Sequence, residues 1–162
     1  MAATYTPIST YTLSSGATTV SFTSIPSIYT DLVLVANCTY NGSTNWYLRF
    51  NNDSNSYYSK TVLYGTGSGS GASARNTSQT ETYINVSNGN TSDPNMFEIN
   101  VMNYANTNTY KTFLCRENMA TQSVGSFVGL YRSTSAINRI DLTLYTSSTA
   151  GATFSLYGIL AA

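Results

Sequence analysis

The segment 64-YGTGSGSGASARN-76 alternates glycine with small polar residues ahead of a lone Arg75. A glycine-rich run can cradle phosphate when it carries a Lys-Ser/Thr pair and opens a helix, because backbone N–H groups and the helix N-terminus then face the anion. Here no lysine follows, and Ser78 and Gln79 lead into another strand-like run. The segment therefore reads as a flexible Gly/Ser connection over 65–76, with Arg75 a solvated or interface charge. Asn51, Asp53 and Asn55 have the alternate spacing that opens a calcium loop. The glycine and the closing bidentate glutamate of such a loop are missing, with Val62 at the glutamate position, so a tight Asn/Asp turn is expected instead.

Acid–base chemistry has a short supply of groups: Asp31, Asp53, Glu81, Asp93, Glu98, Glu117 and Asp141 are all the carboxylates, and there is no histidine. A glycosidase holds two carboxyls across the scissile bond. Glu98 and Asp141 are the conceivable pair, since both fall on the polar face of an alternating run, but such groups more often pair with a neighbouring arginine. Histidine-based triads are excluded. Cys38 and Cys115 are too few for a zinc site or a disulfide scaffold and read as reduced core residues. The expectation is a protein that is not an enzyme, with no metal and no cofactor.

The elements that position these residues are strands. Of 162 residues 41% are hydrophobic and 13% aromatic, enough for one packed core. Period-two alternation recurs throughout, as in Phe97, Ile99, Val101 against Glu98, Asn100, Met102, and in Ile140, Leu142, Leu144 against Asp141, Thr143, Tyr145. No window sustains a helical period. Leu32–Ala36 is apolar on both faces and reads as a central strand covered on both sides. Asn41-Gly42 between two alternating runs is a strong hairpin signal. The predicted fold is all-β: one domain over 1–162, a two-sheet antiparallel β-sandwich, jelly-roll-like, of about ten short strands. Residues 1–7 are expected to form an extended N-terminal arm.

Charge bounds the partners. Lys plus Arg and Asp plus Glu stand at 7 each, only 9% of the chain together, so there is no cationic footprint for a nucleic acid. No apolar run approaches the length of a membrane span. The start MAATYTPIST lacks the basic and apolar regions of a secretory signal, and synthesis in a cytoplasm is expected. Tyrosine is the distinctive residue, with 14 copies. Exposed tyrosines give large contact area at low entropy cost, which suits protein interfaces and sugar stacking alike.

The segments 24-SIPSIYTDLVLVA-36, 46-WYLRFNNDSNSYYS-59, 103-NYANTNTYKTFLCR-116 and 133-STSAINRIDLTLYTSSTAGATFSLYGI-159 resemble a group of small virion structural proteins of tailed bacteriophages of aquatic bacteria. The resemblance implies a β-sandwich displayed on a particle, either a capsid decoration (cement) protein or part of a tail fibre or spike that binds host surface glycan. No heptad or fibrous repeat marks a shaft, which favours decoration of the shell. The partners expected on this reading are the major capsid protein and copies of the chain itself, as a homotrimer, with the protein located on the virion. Chain ends fray unless tied down, and MAATYTPI is expected to dock on a neighbour. The candidate interface residues are Thr4, Tyr5, Pro7 and Ile8, together with Tyr57, Tyr58 and Arg75.

Overall fold

The computed structural model describes residues 4–39, 45–67, 69–84, 93–119 and 121–160. It contains twelve strands and no helix among them: β1 (Tyr5–Thr12), β2 (Thr19–Phe22), β3 (Asp31–Cys38), β4 (Trp46–Phe50), β5 (Tyr58–Gly65), β6 (Ala72–Gln79), β7 (Thr82–Tyr83), β8 (Asn95–Met102), β9 (Lys111–Met119), β10 (Ser123–Tyr131), β11 (Ile140–Leu144) and β12 (Thr153–Ile159). They form two antiparallel sheets. The large sheet has eight strands in the order β1-β12-β3-β8-β9-β10-β5-β6, and the small one has four, β2-β11-β4-β7. The sheets pack face to face as a jelly-roll-like β-sandwich, as the alternation predicts.

Alternation decides which residues fill the space between the sheets. Along β8, Phe97, Ile99 and Val101 point inward and are buried, and along β11 Ile140, Leu142 and Leu144 do the same. Aromatic rings tie the two layers together. Trp46 of the small sheet meets Phe154 of the large one edge-on at 5.2 Å between centroids, and Phe50 meets Phe113 at 5.4 Å. Both geometries are favourable for aromatic quadrupoles. Cys38 and Cys115 are free and buried, and burial pushes the Cys38 thiol up to about 12.

Several expectations change. The Gly/Ser connection is shorter than 65–76: residues 72–79 are β6, paired antiparallel with β5, so Arg75 stands on a strand. Composition hides this strand because Ala, Ser, Thr and Asn on an edge need no apolar face. Gly67 and Gly69 adopt φ of +75° and +97°, the conformation that the turn between β5 and β6 uses and that only glycine takes without strain. Within the N-terminal segment, Tyr5, Thr6 and Pro7 are extended and pair with Ile159, Gly158 and Tyr157, so what they dock on here is β12 of the same chain. A register shift between Pro7 and Ser9 sits beside the residue that lacks an N–H.

Asn41-Gly42 lies outside the described residues, but β3 and β4 belong to different sheets and do not form a hairpin. β3 is covered on both faces only in part: Val33 is 2% exposed, whereas Val35 faces solvent at 38%. Asp53 does make the expected turn, its Oδ1 accepting from the backbone N and side-chain Nδ2 of Asn55, while Oδ2 accepts from the Tyr131 hydroxyl.

Candidate binding face on the large sheet

The outer face of the large sheet is built by the residues that alternate with the core. Antiparallel register places Val35, Glu98, Arg116, Ser126 and Leu63 in one row across β3, β8, β9, β10 and β5. The row on one side holds Met96, Asn118 and Val124, and the row on the other Asn100, Leu114, Val128 and Thr61. Val124, Leu63 and Val128 are 62%, 65% and 55% exposed although β-branched and leucine side chains usually sit inside. A groove of about 1030 Å³ runs over this face, lined by Val35, Leu63, Met96, Glu98, Arg116 and Val124 among others.

At its centre the charges neutralise one another. Asn100 Nδ2 donates to Glu98 Oε1 at 2.8 Å and Arg116 Nη2 to Glu98 Oε2 at 2.9 Å. The Asn100 hydrogen bond, then the Arg116 guanidinium, hold the Glu98 carboxyl below the usual glutamate range. A carboxylate held ionised between two donors is a poor proton donor.

A second, smaller notch of about 360 Å³ lies on the same face where β5 begins and β6 and β10 end, lined by Ser59, Lys60, Thr61, Arg75, Thr77, Thr112 and Arg132 over Val128 and Leu130. Thr61 pairs directly with Arg75 across the ladder, so both project outward. Arg132 follows β10. Its Nη2 donates to Ser59 Oγ at 3.0 Å and its Nη1 to the Tyr57 carbonyl at 3.4 Å.

The candidate carboxyl pair does not meet. Glu98 is on the outer face of the large sheet, while Asp141 is on the outer face of the small one, where it accepts from Ser21 Oγ at 2.6 Å and pairs with Arg139 at 2.8 Å. The core stands between them. Both carboxylates have the neighbouring-arginine partner that alternating strands commonly supply.

The candidate interface residues do not form one patch. Thr4 and the β1 residues Tyr5, Pro7 and Ile8 are at one edge of the large sheet, Tyr57 and Arg75 at the opposite edge. Tyr5 is exposed, its ring edge-on to Tyr157 at 6.3 Å, and Ile8 packs partly against the core. Tyr58 is fully buried and stands apart from any surface: its hydroxyl accepts from the Phe50 N–H at 2.8 Å, and its ring stacks on Tyr131 at 4.9 Å. In 57-YYS-59 the inward and outward positions alternate, so adjacent tyrosines cannot share a face. The side chains that do share a face, Val35, Leu63, Met96, Val124 and Val128, escape a search for tyrosines. Their sequence signal is apolar residues on both phases of one strand, as in 124-VGSFVGL-130.

No protein-family model and no curated protein matches the chain. Among solved structures, a marine PL-14 alginate lyase from Aplysia kurodai matches at 10% identity and a TM-score of 0.34, covering 85% of this chain and 72% of that one. The alginate lyase Aly36B, a variant in complex with alginate tetrasaccharide, matches at 9% identity and a TM-score of 0.28, covering 89% of this chain and 82% of that one. At these values the likeness carries no argument about substrate or mechanism. Both matched proteins are enzymes, and the expectation of a protein that is not an enzyme is withdrawn.

Proposed function

We propose that the chain is a virion structural protein that acts by non-covalent attachment, the outer face of the large sheet docking on a protein shell. The single observation that carries this reading is the patch of large apolar side chains left open on that face. Val35, Leu63, Met96, Val124 and Val128 surround one internally neutralised ion pair, and the arginines stand at the rim. Apolar and Met-rich centres with polar rims are what protein interfaces use, whereas a face meant only for water carries few such groups. The resemblance to phage virion proteins supplies the setting, with the major capsid protein as partner and a capsid decoration role. Attachment of many copies stabilises a shell by RT ln(1 + [L]/Kd) per site.

Purified particles carrying the wild-type chain or the combined Leu63→Ser, Val124→Ser variant test this. Quantitative mass spectrometry of chain to major coat protein should give a simple ratio for wild type and a marked loss for the variant. Equal occupancy of the variant, with its melting temperature unchanged, would remove this face from the interface. A wild-type ratio tens of times below the coat protein would move the chain to the tail.

A further inference from the structure

We infer that the notch between β5, β6 and β10 is a subsite for an oxyanion, the carboxylate or sulfate of an acidic polysaccharide, held between Arg75 and Arg132. The first support is a charge census. The seven cations and seven acids of the chain all lie among the described residues. Arg49, Arg116 and Arg139 are paired with Glu81, Glu98 and Asp141. The two lysines are spent on carbonyls: Lys60 donates to the Tyr83 oxygen, and Lys111 to those of Thr109, Ser133 and Thr134.

Only Arg75 and Arg132 are left without a carboxylate, and both line one notch. The remaining acids cannot reach them in their present roles. Asp31 accepts from the Asn103 N–H, Asp53 from Asn55 and Tyr131, and Asp93 from Thr121, while Glu117 is buried between the sheets. Two like charges lining one notch repel weakly through solvent, and an external anion between them would relieve that repulsion.

The geometry favours an oxyanion. A guanidinium presents five donors in a planar fork that matches carboxylate and sulfate oxygens. Arg132 spends two contacts, on Ser59 and Tyr57, which orient it from behind and leave other N–H groups free. Arg75 is exposed and makes no side-chain hydrogen bond among the described residues. Around them Thr61, Thr77 and Thr112 offer hydroxyls that both donate and accept. Two forks among hydroxyls suit a ligand bearing acid and alcohol groups together, as a uronate or sulfated sugar does. An acidic peptide would instead present amides and apolar side chains.

The notch adjoins the apolar face and shares Val128 with it, but Leu63 and Val124 do not line it, so substitutions there separate this inference from the attachment reading. Calorimetric titration of the whole chain with polygalacturonate, dextran sulfate, neutral dextran and polyglutamate tests it. Binding is expected to polygalacturonate or dextran sulfate, to weaken as salt is raised, and to be absent with dextran; which polymer binds identifies carboxylate or sulfate. Arg75→Gln, which removes no hydrogen bond or ion pair among the described residues, should weaken binding roughly tenfold or more, since a charge-assisted hydrogen-bonded pair is lost. Leu63→Ser with Val124→Ser should leave it intact. Failure to bind either acidic polysaccharide, equal affinity for polyglutamate, or full retention by Arg75→Gln would each overturn the proposal.

Discussion

Lys60 shows what burial does to a charge in this fold. Its side chain points between the sheets, with Nζ 2.6 Å from the Tyr83 carbonyl and 3.1 Å from the centre of the Tyr83 ring. Phe127 lies below it, and Cys115 and Glu117 are the titratable groups facing it from β9. Loss of hydration pushes the Lys60 ammonium down to about 7, although Cys115 and Glu117 pull the other way. An unfolded lysine titrates near ~10.4. Between the two values the unfolded chain binds more protons than the folded one, so stability rises with pH above about 7 and is flat with respect to this group below it. Urea midpoints for wild type should climb between about pH 6.5 and about pH 9, and Lys60→Met should flatten that climb. Tyr58 gives a second expectation at this scale. Burial pushes its phenol well up, and Tyr58→Phe leaves the buried Phe50 N–H without its acceptor. A loss of about 1–3 kcal/mol in denaturant unfolding is expected.

Strand packing turns on two glycines that serve as seats for rings. Gly129 in β10 pairs directly with Phe113 in β9, and a Cβ there would fall 2.1 Å from the Phe113 ring. Gly158 in β12 seats Tyr29 in the same manner, at 2.2 Å. In both cases the clash is with a ring packed in or against the core, which cannot swing aside as an exposed side chain would. Gly129→Ala should cost about 1–3 kcal/mol by overpacking, read as a lower thermal midpoint, more than the small intrinsic gain from replacing glycine in a strand. β1 is an edge with consequences of its own. It covers the outer edge of β12, so removing residues 4–12 should bare seven residues of β12 for pairing with other chains and raise the aggregation rate measured by light scattering.

Taken as one molecule, the two sheets share a single hydrophobic cluster that runs from Val20 and Phe22 through Trp46 and Phe50 to Phe113, Phe127 and Phe154. Trp46, the only tryptophan, is fully buried where the layers meet. Neither sheet keeps its core without the other, so unfolding should be a single cooperative step. Trp46 fluorescence and far-ultraviolet circular dichroism should give coincident urea transitions, and separated midpoints would show that the sheets unfold apart.

Much of this was legible in the chain. Alternation along 97–102 and 140–145 fixes which residues face inward, because the side-chain period of a strand is two whatever its neighbours are. The Asp53 turn was legible for a similar reason, since a short side chain bonding its own backbone two residues on is a local event. Strand order was not. Whether the strands on either side of Asn41-Gly42 pair with each other depends on β12 and β8 taking both edges of β3, and those partners are far away in sequence. β6 was invisible because an edge strand of small polar residues takes its structure from β5. The faces that meet were equally hidden: Tyr57 and Tyr58 look alike in the sequence and point opposite ways, while Arg75 and Arg132 come to one notch only through the β5–β6 and β5–β10 ladders. Composition and periodicity, being local, determined the class of fold and its core; the candidate face is a sum of long-range pairings, and the tertiary structure alone decided which residues share it.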